Sequence, residues 1–332
     1  SEASALAANN LITDVDGLGY QIGYNNYDAE DGMVIDPTTG KVRAGTNFLY
    51  TPENWGDYLF ANALKTKAYL SVASGTDKSS YFFSFGNEQN EGYAIKSGFD
   101  RTSLRFSMQQ YVKDYLEIGG TVNYSHTIQD APIDGYGSGT YANLFNWARI
   151  VAPIYPIFAY DAEGNRVQGP TGDDLYDFGD GKNSPWIRTL GGTQNPYGVT
   201  LENIQNNTYD NILGKIYGTF RFLDGFYFTY NGSADVRLGT LTSFSTPIGG
   251  DAANAGGRGY ATSTKGFNIT HQELLGYQKD YGIHSVSALF GHESSSYNYR
   301  YLRAHKTNFL LSDQAFLDGA VIIEEVNNFE RD

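Results

Sequence analysis

The sequence contains no cysteine. That excludes disulfides, thiolate zinc sites and a cysteine nucleophile, and it leaves only oxygen and nitrogen ligands for any metal. Long apolar runs are also missing: nothing approaches the roughly 20 consecutive apolar residues of a membrane helix. The opening Ser1-Glu2-Ala3-Ser4 has neither a basic start nor an apolar signal core. A membrane β-barrel is untouched by these absences, because its strands place apolar residues only at every second position. Basic residues are few and dispersed. There are 23 Lys and Arg against 37 Asp and Glu, a net charge of −14, and no two Lys or Arg are adjacent. This balance disfavours nucleic acid as a partner. Proline is scarce as well, at nine residues against 39 glycines.

What is abundant is aromatic. Tyr, Phe and Trp number 27, 20 and 3, or 15% of 332 residues, nearly matching the 18% that are charged. A disordered chain does not have this composition. With Gly, Ser, Thr and Asn filling much of the remainder, it favours many strands and turns over helices.

Alternation identifies the strands. In Phe226–Leu238 the even positions Phe226, Phe228, Tyr230, Gly232, Ala234, Val236 and Leu238 are apolar or small. The odd positions Tyr227, Thr229, Asn231, Ser233, Asp235 and Arg237 make the other, wet face. The preceding stretch sets Ile212, Gly214, Ile216, Gly218, Phe220 and Phe222 against Asn211, Lys215, Tyr217, Thr219 and Arg221, with Leu213 as its one misfit. Leu223-Asp224-Gly225 joins the two as a hairpin turn. A second hairpin runs through Leu104–Gln109, Val112-Lys113-Asp114 and Leu116–Thr127. Two further pairs are Lys67–Ser74 with Ser80–Gln89, and Ser263–Tyr277 with Ile283–Arg300.

Eight strands in four hairpins are therefore expected, longer than the usual 5–6 residues. Short turns alternate with the longer segments 90–98, 130–209 and 239–262. Long strands and this asymmetry point to an all-β fold, an antiparallel transmembrane β-barrel with long extracellular loops containing short helices. A soluble β-sandwich, with its polar face to water, is the competing architecture. The organisation expected is 1–66 as an extracellular loop with a short helix, 67–302 as barrel strands with the long loop 130–209, and 303–332 as the start of a further extracellular loop. Thr51 as N-cap with Pro52 behind it predicts a helix over 52–64, and Tyr141–Val151 has helical spacing.

Candidate chemistry is sparse. Asp161, Glu163 and Asn165 alternate beside Gly164 as in a calcium loop, but the glycine is misplaced and the distal Glu is missing, which favours a β-turn. Asp173, Asp174, Asp177 and Asp180 could gather on a cation or simply be solvated. Five histidines show no metal-ligand spacing, and no nucleophile or phosphate-loop motif occurs, so no catalytic, cofactor-binding or metal residue is assigned and the chain is read as not an enzyme. Trp147, Tyr155, Trp186 and Tyr197, in the long loop, are candidate platforms for sugar rings or peptide side chains, with packing of the loop on itself as the alternative role.

Several motifs resemble one family. Tyr69–Ser84 (YLSVASGTDKSSYFFS) is followed by Glu91-Gly92 and Gly98-Phe99-Asp100-Arg101. Trp55 with its helix, Ala152–Ile157 (APIYPI), Asp161–Asn165 (DAEGN) and Leu289–Glu293 (LFGHE) join them in order. Together they resemble the barrel of SusC/RagA-type TonB-dependent transporters from about residue 50 to 310. The resemblance implies an internal barrel fragment, some eight strands of a 22-stranded barrel. It also implies import of oligosaccharides or peptides across the bacterial outer membrane, a SusD-like surface lipoprotein as partner, contact with outer-membrane lipid, and TonB engaged through a region outside this chain. The readings from other classes are a secreted glycan-binding β protein without transport activity and a glycosidase with loop carboxylates.

Overall fold

The structure, a computed structural model, describes residues 24, 26–29, 36, 38–39, 41–133, 142–151, 153–188, 191–311 and 315–331. Among the described residues nine strands form one antiparallel sheet in strict sequence order, with each strand paired to the next. They are β1 (Lys65–Thr76), β2 (Ser79–Glu91), β3 (Gly98–Lys113), β4 (Leu116–Asp130), β5 (Ile204–Phe222), β6 (Phe226–Ser245), β7 (Arg258–Tyr281), β8 (His284–Phe309) and β9 (Ala320–Arg331). The sheet is open, with β1 and β9 as its edges. The longest strands, β7 and β8, have 24 and 26 residues, well beyond the ~9–11 that cross a bilayer.

The alternation read from the sequence becomes two contrasting rows. Val72, Phe83, Phe106, Val122, Gly214, Ala234 and Ile269 are register partners across β1–β7. One residue away the partners are Ser71, Ser84, Arg105, Asn123, Leu213, Asp235, Asn268 and, on β8, Tyr297. Because the side-chain period along a strand is two, the first row lies on one face and the second on the other. The apolar face is bare: Ile216 is 62% exposed, and Val122, Phe106, Phe220 and Phe290 are exposed with it. Leu213, the misfit, falls on the polar face opposite Asn123.

Several polar groups on the apolar face are paired. Tyr124 Oη and His126 Nδ1 lie 2.6 and 2.8 Å from Asp210 Oδ1. His292 Nδ1 is 2.9 Å from Glu273 Oε2, and Tyr230 Oη is 2.7 Å from His271 Nδ1.

Short turns at 77–78, 114–115, 223–225 and 282–283 close one end of the hairpins. Gly225 (φ +87°) supplies the left-handed residue that such a three-residue hairpin loop needs. The other end carries 92–97, 131–203, 246–257 and 310–319.

Two expectations are corrected. A ninth strand, β9, occupies part of 303–332, which was expected to be loop; it pairs with β8 from Tyr299 to Phe309 through a bulge at His305/Lys306. Its apolar residues Val321, Ile322 and Ile323 are consecutive rather than alternating, which hid the period. The helix expected over 52–64 is only α1 (Trp55–Leu59), capped by Asn54 and not Thr51. Glu53 accepts from Ile157 N (2.8 Å) and Arg166 (2.9 Å), which holds the chain extended up to Asn54. The antiparallel bridge of Phe60 to Ala94 then ends the helix. In the second helix, α2 (Leu144–Ile150), Asn143 accepts from Asn146 N; Tyr141, where it was expected to start, lies outside the described residues. A third, α3 (Pro196–Glu202), capped by Asn195, went unseen in the sequence.

Candidate functional site

Two features meet at the long-loop end: a compact loop head and the polar wall below it. The head is held by Trp55, Leu59, Ala94, Leu144, Trp147 and Ile157, all buried together. Trp55 meets Trp147 edge-on with ring centroids 5.2 Å apart, and its Nε1 donates to Tyr155 O at 2.9 Å. Thus α1, α2 and the strand-like 155–160 segment converge on one aromatic knot.

Beside it Asp177 is enclosed. It accepts from Tyr24 Oη (2.6 Å), Gly179 N (2.9 Å) and Ser184 Oγ (3.1 Å), and Arg188 Nη2 lies 3.5 Å away. Arg188 also sits 5.3 Å from the ring centroids of both Trp147 and Tyr155. Burial pushes the Tyr24 and Tyr50 phenols far up, so both remain neutral donors. Nearer the surface, Arg166 bridges Asp174 (2.6 Å) and Glu53 (2.9 Å) and lies over Phe158. Its hydrogen bond holds the Asp174 carboxyl below the usual range.

The four candidate aromatics are not one platform. Trp147 and Tyr155 are buried in the head and present no face to a ligand, a correction of their reading as substrate contacts. They were misplaced because exposure of a loop aromatic is set by packing that sequence does not display. Trp186 and Tyr197 are half-buried, Trp186 against Tyr24 and Tyr50, and Tyr197 against Tyr58 and Phe158. The acidic candidates do not converge either. Asp161 Oδ1 accepts from Glu163 N and Asn165 N, as in a turn. Asp173 accepts from Thr171, Asp174 faces Arg166, Asp177 is enclosed and Asp180 pairs with Lys182. Among the described residues no three or more His, Asp or Glu are grouped to hold a metal ion.

Sequence reasoning gave the polar face of the wall but missed the recesses in it. On the polar face of β5–β8 a recess of about 470 Å³ is lined by Tyr209, Asn211, Asp235, Arg237, Asn268, Tyr297 and Tyr299, among others. A second, of about 310 Å³, lies between Ser84, Arg101, Arg105, Asn123 and Leu213. The alternation places these residues on one face, but only strand register brings four strands' side chains to one spot.

No family model matches the chain. It is 21% identical over 295 residues to "TonB-dependent receptor P3" of Formosa agariphila, covering 85% of this chain and 27% of that protein. To "TonB-dependent receptor P26" of the same organism it is 26% identical over 283 residues, covering 82% and 24%. Among solved structures it superposes on the RagAB peptide importer in its "open-open" state with a TM-score of 0.62 at 16% identity, over 98% of this chain and 32% of that one. The fold is that of a TonB-dependent transporter barrel. The "closed-closed" RagAB state agrees, with a TM-score of 0.59 at 17% identity over 99% of this chain and 34% of the other. The likeness to SusC/RagA-type TonB-dependent transporters, drawn first from short motifs, is thereby upheld, and the open nine-stranded sheet matches part of such a barrel in fold. The chain spans about a quarter of the length of the curated relatives it matches. In a barrel of that fold an apolar outer face meets lipid and a polar inner face lines the lumen.

Proposed function

We propose that this chain forms part of the wall and outward loops of a TonB-dependent importer in the bacterial outer membrane. The observation that carries the reading is the pair of rows: an apolar, exposed row from Val72 to Ile269, and one residue away a polar row from Ser71 to Tyr297. A face that apolar, running over seven strands, is unsuited to water and suited to lipid. The long-loop end is then extracellular and the short turns periplasmic. A SusD-like lipoprotein would seat on the loop head, TonB would act through a region outside residues 1–332, and the cargo is an oligosaccharide or peptide. The wall's role is passive: it guides and does not transform its cargo. A secreted glycan-binding β protein would need a second layer over the apolar face, and the described strands form a single sheet.

The test is uptake by cells carrying the complete protein. Cargo should accumulate only with TonB present and the membrane energised, and loss of the SusD-like partner should reduce it. Cargo entry that is indifferent to TonB would defeat this reading.

A further inference from the structure

The larger recess sits high on the wall. Asp235 and Arg237 lie about ten residues past the 223–225 hairpin, roughly 30 Å of strand at ~3.3 Å per residue. With a barrel tilt of about 35–45° this is a height of roughly 25 Å, the top of a typical apolar band. On the opposite face of β6 the apolar run gives out at the same level, after Leu238. The recess therefore opens to the outer, wet part of the lumen.

Its floor is Gly266. A Cβ there would come no closer than 3.9 Å to Arg237 Cβ, Tyr297 Oη or Tyr299 Cδ2, so the space above the backbone is open. Two tyrosines stand along one side: the rings of Tyr297 and Tyr299 are within 10° of parallel with centroids 6.4 Å apart, and Tyr297 is 53% exposed. Asn268 and Asn211 contribute planar amides beside them. Arg237 gives Nη2 (2.9 Å) and Nε (3.3 Å) to Asp235, so the two charges offset each other inside the recess.

These features select a ligand class. With Arg237 matched to Asp235, an ionised ligand finds no unopposed countercharge. An extended peptide gains affinity by pairing its main chain with an open strand edge, and here β5–β8 are paired continuously through the recess, leaving no edge. A pyranose ring needs something else: a flat aromatic surface for its C–H face, and planar groups that both donate and accept for its hydroxyls. We propose that this recess is a wall subsite for a neutral saccharide ring, stacked on Tyr297 and Tyr299 over Gly266 and hydrogen-bonded by Asn268, Asn211 and the Asp235–Arg237 pair. The proposal rests on the reading of the polar face as a transport lumen.

The test uses the complete transporter, purified in detergent, with two independent variants. Gly266→Leu fills the floor at a position with open space, and a Tyr297→Ala/Tyr299→Ala double variant removes the stacking faces. The probes are the neutral hexasaccharides of glucose (malto-, cello- and laminari-), mannose and xylose, with hexa-alanine as the peptide comparison, and binding is followed by calorimetry. At least one hexasaccharide should bind the unmodified protein, and each variant should weaken it about tenfold or more. Hexa-alanine binding should be the same in all three proteins. Absence of saccharide binding to the unmodified protein, equal affinity in the variants, or loss of hexa-alanine binding instead would each overturn the subsite. TonB-dependent uptake, measured in parallel, separates the two readings: if uptake persists while the variants bind saccharide normally, the subsite falls and the importer stands, whereas uptake indifferent to TonB removes the importer itself.

Discussion

Arg188 Nη2 donates to the main-chain oxygen of Asp177 at 2.7 Å and lies 3.5 Å from its carboxylate, and both side chains are closed to solvent, at 0% and 1% exposure. Such a pair fixes an arrangement more than it adds stability, because both ions give up hydration, and removing one partner leaves the other charge stranded. Asp177→Ala should therefore destabilise the loop head by about 3–5 kcal/mol. In the complete transporter, limited proteolysis should cut 142–203 far faster in the variant while the barrel keeps its heat-resistant gel mobility. Unchanged cutting would show that the pair does not hold the head.

Trp55 is the second tether. It is buried against Trp147 and donates to Tyr155 O, joining α1 to a segment a hundred residues away. Trp55→Ala should cost about 3–5 kcal/mol through the cavity it leaves. Trp55→Phe should cost less, retaining most of the packing but losing the hydrogen bond. Near-UV circular dichroism checks the order: an alanine variant with the native aromatic signal would contradict the packing described.

The strands were legible because a two-residue period survives in the sequence wherever one face meets lipid and the other water. Phe226–Leu238 and Leu116–Thr127 show it, and the hairpin at Leu223-Asp224-Gly225 is where it was expected. β9 was not legible because Val321-Ile322-Ile323 break the period beside a bulge. The candidate site was read less well. Trp147 and Tyr155 are spaced like any loop aromatics, and their burial depends on contacts with Trp55 and Arg188, distant in sequence. The wall recess depends on register among β5, β6, β7 and β8, which alternation does not supply.

The loop head should be sensitive to acid. Arg166's hydrogen bond lowers the Asp174 carboxyl pKa, so the clasp is complete above the ordinary carboxylate range and is lost as the pH falls through that lowered value. Asp161 behaves alike, held low by the backbone hydrogen bond from Asn165. All three tryptophans of this chain lie in the loops, so the difference in tryptophan emission between the unmodified transporter and an Asp174→Asn variant reports on the head. Acidification of the transporter below about pH 4 should shift that emission. Asp174→Asn should show part of the shift already at neutral pH and a smaller further change in acid. Identical acid curves for the two proteins would remove Asp174 from the account.

Residues 1–332 expressed alone should not behave as a finished barrel. The sheet has two unpaired edges, β1 and β9, and a bare apolar face, a combination that drives edge-to-edge association. Aggregation, or β structure without a heat-resistant monomer band in detergent, is the expected outcome. A heat-resistant monomer would mean that these strands can close on themselves.

The central claim is that one face of this sheet meets lipid and the other water. The chain has no cysteine, so a single introduced cysteine gives one label site in this stretch. In the complete transporter, reconstituted in bilayers, spin labels at 106, 122, 234 and 269 should be relaxed mainly by oxygen, which partitions into lipid. Labels at their neighbours 105, 123, 235 and 268 should be relaxed mainly by a water-soluble nickel chelate. The reverse pattern, or water accessibility equal at both sets, would contradict the assignment of the two faces.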